Sequence, residues 1–179
     1  MFDFSGYIQS YLDTLPLLLI VVSLYWTVIV GAPWVPSSIK MVHQMMQLAE
    51  VRPDDVVYDL GCGDGRIVLT AAMRYHARAV GIEIDPLRYI WCQFLVTIFF
   101  QRKRVRIIWG NLFTQDLSEA DVVMCYLMPG ALQKLEKKFK QELHSGTRVV
   151  SNKFTFPTLI KAREDENATL YLIHPDDGN

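Results

Sequence analysis

Val-Val-Tyr-Asp-Leu-Gly-Cys-Gly-Asp-Gly-Arg, residues 56–66, is the stretch that decides the fold. A short valine-rich run ends at Asp59, glycines follow at alternate positions, and the next residues have helical spacing. This order predicts a strand, a tight loop and a helix. Glycines let the loop adopt positive φ angles and bring bare backbone against a ligand, whose polar groups can meet the amides at the helix start. The stretch therefore predicts a strand that ends at a nucleotide-like ligand.

Three kinds of ligand-binding loop compete for this pattern. A phosphate-binding P-loop requires a lysine after the glycines, and none follows here. A dinucleotide fingerprint requires its third glycine at position 66, which is Arg66. The remaining pattern, Asp-x-Gly-x-Gly-x-Gly, resembles motif I of the seven-strand S-adenosylmethionine-dependent methyltransferases. A second apolar run, 79–84, contains Glu83, whose carboxylate can accept both ribose hydroxyls, as NAD and S-adenosylmethionine sites alike require.

Composition limits the remaining possibilities. A chain of 179 residues has room for one domain of ordinary size and a small appendage. The formal net charge of −1 provides no general attraction to nucleic acid, and we expect no nucleic-acid partner. Cys62, Cys92 and Cys125 are widely spaced, so the sequence indicates neither a disulfide framework nor a metal site.

The start of the chain is apolar and almost uncharged, since all 18 Lys and Arg residues follow position 39. Residues 15–32 would span roughly 27 Å as a helix, close to the hydrocarbon thickness of a bilayer. A buried helix that packs on the domain or on another subunit is the alternative. We predict a membrane anchor over residues 1–32 with one transmembrane helix. Lys40 and Arg52 follow it, which predicts that the catalytic domain lies on the cytoplasmic side.

Residues 33–55 are predicted to form a linker and an amphipathic helix. Prolines in the linker disfavour continuation of the preceding helix. Ser37 or Ser38 can cap the new helix. Its predicted apolar face consists of Ile39, Val42, Met46 and Ala49.

Strands and helices alternate after the glycine loop. Further strands are predicted over 105–109, 122–127, 147–154 and 169–174, with 159–163 as a partner of the last. The helix from 86 to about 100 is too short for a second membrane span, which favours a buried position. A basic cluster follows it, either as a solvated helix end or as a contact for anionic lipid headgroups. The cluster consists of Arg102, Lys103, Arg104 and Arg106.

Four further motifs carry a closer resemblance. They are Val-Pro-Ser at 35–37, Gly-x-Gly-Asp-Gly-Arg-Ile-Val at 61–68, Leu-Glu-Lys-Lys at 135–138 and Phe-x-Phe-Pro at 154–157. With the N-terminal apolar segment, they resemble the membrane-associated lysine methyltransferases that act on the c subunit of ATP synthase and the adenine nucleotide translocase, and their prokaryotic relatives. The resemblance implies a Rossmann-like seven-strand methyltransferase domain over residues 56–179, with S-adenosylmethionine as cofactor.

The resemblance also implies which residues contact the cofactor. They are Asp59, Gly61, Gly63, Gly65, Glu83 and, beside the adenine, Asn111. For the methyl acceptor, Tyr126 and Asn152 follow the fourth and fifth strands, and Trp34 to Ser37 are predicted to form a lid. Tyr126 is either a wall of this acceptor site or ordinary strand packing. An Asn/Asp-Pro-Pro-Tyr/Phe motif, which grips the planar amides of adenine or glutamine, is absent after the fourth strand.

We therefore expect methyl transfer, without a metal, to a lysine of a membrane or membrane-adjacent protein. A lipid, quinone or other small-molecule methyltransferase is an alternative, because a membrane anchor would suit those acceptors too. A membrane-tethered module that binds the cofactor without catalysis is another. Acceptor pockets in this fold are built from variable loops, so the sequence does not separate these functions.

Overall fold

The structure is a computed structural model that describes residues 4–30 and 35–174. The chain divides into two compact units, one ending at position 34 and one beginning at position 35. The elements are α1 (Phe4–Val30), α2 (Ile39–Leu48), β1 (Val56–Leu60), α3 (Arg66–Arg74), β2 (Arg78–Glu83), α4 (Pro86–Ile98), β3 (Val105–Trp109), β4 (Val122–Cys125), α5 (Pro129–Glu142), β5 (Arg148–Asn152), β6 (Lys161–Glu164) and β7 (Ala168–Leu172).

Helix α1 forms the first unit and begins well before the predicted start at residue 15. Pro16 consequently lies inside the helix and not in its first turn. The hydroxyl of Thr14, a residue whose type favours a helix cap, donates to the carbonyl of Ser10 at 2.8 Å. The helix therefore continues through residues that were expected to begin it.

The longer helix includes polar side chains as well as residues 15–30 of the apolar segment. Gln9 donates to Asp13 at 3.0 Å within it. Among residues 4–30 and 35–174, no helix combines the length and the apolar character needed to cross a membrane. The prediction of a single-pass membrane protein with its catalytic domain on the cytoplasmic side is therefore wrong.

The second unit is built on a seven-stranded sheet in the order β3-β2-β1-β4-β5-β7-β6. The first five strands in this order are parallel, and β7 is antiparallel to both β5 and β6. This arrangement confirms the predicted Rossmann-like α/β class, including the closing pair of strands. Carboxyl ends of parallel strands share one edge, where Glu83 lies opposite Trp109, and Leu60 opposite Cys125. The strand order reverses between β1 and β4, which is where such sheets form a ligand crevice.

Helices cover both faces of the sheet. One face packs against α2, α3 and α4, with Val42, Val68 and Cys92 among the buried residues. The other packs against α5 through Leu132 and Phe139. The parallel strands are therefore buried on both sides, which explains their continuous valine-rich sequences.

Helix α2 is capped as expected. Ser38 is the N-cap, and its hydroxyl accepts a hydrogen bond from the amide of Met41 at 3.1 Å. The buried face includes Val42 and Met46, but Ile39 is 54% exposed and Met45 is buried in addition. The predicted apolar face is thus confirmed, except at its first residue.

Arg148 of β5 fixes the end of α2 to the sheet. Its guanidinium donates to the carbonyls of Ala49 and Glu50, each at 2.9 Å. It also pairs with the carboxylate of Asp55 at 2.6 Å, and both side chains are largely buried. These bonds satisfy carbonyls that the helix end would otherwise leave without a partner.

Helix α4 differs from the prediction of a buried helix. Cys92 and Val96 are buried. Ile90, Trp91 and Phe94 are exposed on its outer face. The apolar pattern is therefore real, but only one side of the helix packs on the sheet.

Candidate active site

The loop after β1 has the backbone that the glycine spacing predicts. Gly61, Gly63 and Gly65 have φ angles of 84°, 56° and 79°. The amides of Gly61 and Cys62 both donate to the carbonyl of Ile82, at 2.9 and 3.0 Å, which ties the loop to β2. Side-chain-bearing residues rarely adopt positive φ angles, so the alternating glycines are a backbone requirement.

Gly65 has a second reason to be glycine. A Cβ atom at this position would lie 2.3 Å from the sulfur of Cys92 in α4. Gly65 is also the N-cap of α3. Close packing between the loop and α4 therefore depends on it, whereas its predicted contact with the cofactor stays a prediction.

Glu83, at the end of β2, is buried and holds the loop in place. Its Oε2 atom accepts the amide of Gly63 at 2.8 Å, and its Oε1 atom accepts the amide of Asp85 at 2.9 Å. Each carboxylate oxygen has a further lone pair. The carboxylate can therefore organise the loop and accept ribose hydroxyls at the same time, so it fits the cofactor role predicted for it.

Asp59 lies at the sheet edge with only 3% of its surface exposed. Burial raises its pKa to about 8, and the nearby carboxylates of Glu83 and Asp64 add to this effect. Asp59 is therefore largely protonated at neutral pH. A cationic ligand would favour its ionised form, and S-adenosylmethionine carries a sulfonium and an ammonium group, so the residue fits this cofactor.

Asn111 lies just after β3 and is exposed. Its side-chain oxygen accepts the amide of Phe113 at 3.0 Å, and its carbonyl accepts the amide of Thr114 at the same distance. The side chain therefore shapes a turn at the ligand-facing edge of the sheet. Its placement beside the adenine stays a prediction.

A cavity of about 280 Å³ opens beyond the ends of β4 and β5. It brings together three predicted acceptor-site residues, Tyr126, Asn152 and Ser37, while Trp34 lies outside the described residues. The amide of Asn152 donates to the hydroxyl of Ser37 at 3.2 Å. The lining residues are Pro36, Ser37, Ser38, Met41, Tyr126, Asn152, Lys153 and Asn167. None of these residues is acidic.

Arg66 connects the glycine loop to this cavity. Its Nε atom donates to Asp64 at 2.9 Å, and its guanidinium also donates to the carbonyl of Ser37. Asp64 belongs to the glycine loop, and Ser37 lines the cavity. Arg66 therefore links the glycine loop to the segment that lines the cavity. This role of Arg66 was not predicted from the sequence.

Lys153 and Asn167 also line the cavity without having been predicted. The backbone amide of Lys153 donates to the carbonyl of Asn167 at 2.6 Å, and Lys153 has a positive φ of 67°. Asn167 lies just before β7. Only the pairing of β5 with β7 brings it to the cavity, and no local sequence signal marks that contact.

Comparison with known proteins identifies this architecture. Residues 59–163 match the model of the ANTKMT methyltransferase domain. The chain belongs to this family. The match includes Asp59, the glycine loop and the strands up to β6, which contain every predicted cofactor contact. The protein is therefore an S-adenosylmethionine-dependent methyltransferase.

The matches to similar proteins cover different shares of those proteins. The protein-lysine N-methyltransferase of Saccharolobus islandicus (strain REY15A) is 41% identical over 147 residues, which make up 78% of this chain and 91% of that protein. The adenine nucleotide translocase lysine N-methyltransferase of Mus musculus is 35% identical over 135 residues, 70% of this chain. The match covers 55% of the mouse protein, so this chain spans about half of that protein's length.

A solved structure gives a further comparison. It is a crystal structure described as an RNA methyltransferase from Salinibacter ruber, in complex with S-adenosyl-L-homocysteine. It is 38% identical, has a TM-score of 0.77, and covers 79% of this chain and 95% of its own. The bound homocysteine derivative is the demethylated form of the cofactor. The comparison supports the same cofactor for this methyltransferase, while the two groups of relatives are named for different acceptors.

Proposed function

We propose that this methyltransferase transfers a methyl group from S-adenosylmethionine to the side-chain amine of a lysine in a membrane or membrane-adjacent protein. The observation that carries the proposal is the cavity lined by Tyr126, Asn152 and Ser37, next to the glycine loop. Its hydroxyl and amide oxygens can align an amine, and among the described residues its lining contains no carboxylate that would hold the amine as an ammonium ion. The names of the Saccharolobus and mouse relatives support lysine as the acceptor.

A lysine acceptor must lose a proton before it can react. Its ordinary pKa of about 10.4 makes deprotonation at pH 7 cost about 4.6 kcal/mol. Removal from water and nearby positive charge both lower this cost. The cavity contributes both, because Asn152 and Ser37 are buried and the charged residue that lines it in the described part of the chain is the cation Lys153.

The transfer itself needs position more than acid or base chemistry. When bound, the cofactor would supply a methyl group on a positively charged sulfur, which would keep the electron pair of the S–CH3 bond as the N–CH3 bond formed. The protein's contribution is to align the amine with that methyl group and exclude water. Tyr126 and Asn152 are proposed to orient the amine, and Ser37 is proposed to cover the cavity. The proton that the lysine ammonium loses before the transfer passes to bulk water.

Cofactor binding is proposed to involve the residues at the adjacent sheet edge. Glu83 accepts the ribose hydroxyls, Asp59 favours the cationic end of the cofactor, and Asn111 lies beside the adenine. Gly61 and Gly63 provide backbone that a ligand can approach, and Gly65 keeps the loop packed on α4. The division into a linker over 33–55 and a catalytic domain over 56–179 belongs to this proposal as well.

The choice of a membrane or membrane-adjacent target rests on relatives alone. One relative from Mus musculus is named for the adenine nucleotide translocase, and one from Homo sapiens is named for the c subunit of ATP synthase. A small-molecule acceptor would also fit a cavity of this size. The experiment must therefore separate protein, lipid and RNA as acceptors.

Methyl-labelled S-adenosylmethionine, incubated with the full-length protein and a cell extract containing membranes and RNA, tests the proposal. We expect label in protein, recovered as methyl-lysine after hydrolysis, and no label when the acceptor lysine is replaced by arginine. Glu83→Ala provides an enzyme control with weakened cofactor binding. Label in the lipid extract or in RNA would contradict the lysine assignment. Cofactor binding with no labelled product in any fraction would favour a binding module.

A further inference from the structure

An exposed apolar surface lies on the side of α4 that faces away from the sheet. The face includes two aromatic residues in contact, Trp91 and Phe94, whose ring centres are 5.7 Å apart. We call it the α4 face, and it consists of Ile90, Trp91, Phe94, Ile98, Phe99 and Phe100. All six side chains are at least 45% exposed. Large contiguous apolar patches on a protein surface mark contacts with other molecules.

Phe100 is the clearest sign that stability does not explain this surface. Its side chain is 90% exposed, and its backbone has a φ of 54°, in the left-handed region. Glycine or asparagine is usual at this position after a helix, because other side chains are strained there. Phe100 therefore combines backbone strain with exposure of an apolar ring, and folding gains from neither.

The segment that contains the α4 face carries only positive charge. Between Asp85 and Asp116 the sequence has five Lys and Arg residues and no Asp or Glu, although the whole chain has a net charge of −1. Three of the five, at positions 102, 103 and 104, follow the α4 face directly and are exposed. Arg102 is held there by hydrogen bonds to the hydroxyl of Thr97, at 2.9 and 3.0 Å. Arg106 lies on the opposite side of β3, because Val105 and Ile107 face α4 and strand residues alternate.

We propose that the α4 face and the neighbouring cations Arg102, Lys103 and Arg104 form a docking surface for an anionic lipid bilayer, on which the protein lies without crossing it. Exposed Trp and Phe rings suit the interface between headgroups and acyl chains, and adjacent cations suit acidic headgroups. A second protein copy fits less well, because two such surfaces would place like charges together. RNA would match the charge, but the isoleucines and Phe100 provide no advantage for a phosphate backbone.

Docking through this surface is separate from methyl transfer and does not depend on the nature of the acceptor. It also differs from an N-terminal contact in a testable way. No Lys or Arg occurs before position 40. Apolar contact through the start of the chain would therefore not distinguish anionic vesicles from neutral ones, whereas the α4 surface must.

Sedimentation of the full-length protein with vesicles tests the proposal. One set contains phosphatidylcholine only, and the other contains phosphatidylcholine with phosphatidylglycerol as about one third of the lipid. We expect at least roughly tenfold tighter binding to the anionic set, weakening as salt is raised. Arg102→Gln combined with Lys103→Gln should reduce that binding about 30-fold. The matched control, Lys134→Gln with Lys137→Gln on α5, should leave it within about twofold.

Phe100→Gly separates docking from folding. Glycine accepts the left-handed backbone, so the variant should unfold at the same temperature as the parent protein or higher. We nevertheless expect it to lose at least roughly tenfold in binding to anionic vesicles, while Ile160→Ser, which removes another well-exposed apolar side chain elsewhere, should not. Unchanged binding in Phe100→Gly would overturn the proposal. So would equal losses in the α5 control, or a dimer in solution that Phe100→Gly dissociates. Single-stranded RNA bound through the same residues, with no vesicle binding, would overturn it as well.

Discussion

The side-chain amide of Asn152, the last residue of β5, donates a 3.2 Å hydrogen bond to the hydroxyl of Ser37, 115 residues earlier in the chain. Both side chains are buried, and both line the cavity beside the glycine loop. The bond therefore attaches the segment before α2 to the edge of the sheet where the ligand crevice lies.

This pair should behave as a unit when it is mutated. Ser37→Ala or Asn152→Ala leaves a buried polar partner without its bond, and we expect each to cost about 1 to 3 kcal/mol of stability. The double variant should cost less than the sum, because it leaves no orphaned partner. Urea unfolding measures this coupling. Asn152→Ala should also reduce kcat/KM for the acceptor roughly tenfold or more, with unchanged affinity for the cofactor. An equal loss of cofactor affinity would contradict a role for Asn152 at the acceptor.

Asp59 should make cofactor binding depend on pH. Because its pKa is raised to about 8, the free protein must release a proton before the carboxylate can face a cation. Affinity for S-adenosylmethionine should therefore rise about tenfold from pH 7 to pH 9. Calorimetry in buffers of different ionisation enthalpy should detect the released proton near pH 7. Asp59→Asn should bind more weakly and without this pH dependence.

The same carboxyl group should lower stability in alkaline solution. Its pKa in the folded protein lies above the unfolded value of about 3.8. The folded state therefore binds more protons, and the contribution of Asp59 to stability falls as pH rises from about 4 to about 8. Without cofactor, Asp59→Asn should melt above the parent protein at pH 8.5, and by less at pH 5. An equal difference at both values would show that Asp59 does not titrate in this range.

Gly65→Ala should destabilise the fold through two separate effects. A left-handed φ costs an alanine roughly 1 to 2 kcal/mol, and its Cβ would meet the sulfur of Cys92, adding roughly 1 to 3 kcal/mol. Cys92→Ala in the same chain should remove the steric part only. Gly130→Ala is the matched control, because nothing lies within 4 Å of its added Cβ and its φ is not positive. Similar losses in the two alanine variants would contradict this explanation.

The buried ion pair between Asp55 and Arg148 should contribute more to stability than the exposed ion pair between Glu50 and Arg163. Asp55→Ala leaves a largely buried guanidinium without its charge partner, and we expect a loss of about 3 kcal/mol. Glu50 pairs with Arg163 where both side chains are more than half exposed. Glu50→Ala should therefore leave the urea midpoint nearly unchanged. A large effect in both variants would indicate that α2 is held by charge in general and not by this buried pair.

Strand ends were the most predictable part of the site. Valine-rich runs predicted parallel strands, and in a parallel sheet their carboxyl ends meet at one edge. Asp59 and Glu83 lie at the ends of adjacent strands, and Tyr126 and Asn152 lie at the ends of the next two, so one crevice could be predicted without coordinates. Lys153 and Asn167 could not, because β7 reaches the cavity only through a long-range pairing.

The apolar patterns in the sequence were less informative about what surrounds each helix. Trp91 and Phe94 have the spacing of a packed helix, and the sequence alone does not reveal that their side of α4 is exposed. The apolar segment 15–32 suggested a membrane span because length and hydropathy describe a segment in isolation. Where the helix begins depends on the backbone hydrogen bonds of the polar residues before it, which extend it to Phe4. Periodicity identifies apolar positions but not what covers them.

The outermost strand, β6, affects how the molecule behaves at high concentration. All four of its residues, Lys161–Glu164, are exposed, three of them are charged, and its pairing with β7 is irregular between Lys161 and Arg163. A regular apolar edge would offer unpaired amides and carbonyls to the strand of another molecule. Charges of both signs and the shifted register make such edge-to-edge pairing unfavourable. The strand that closes this sheet therefore also protects the protein against aggregation through that edge.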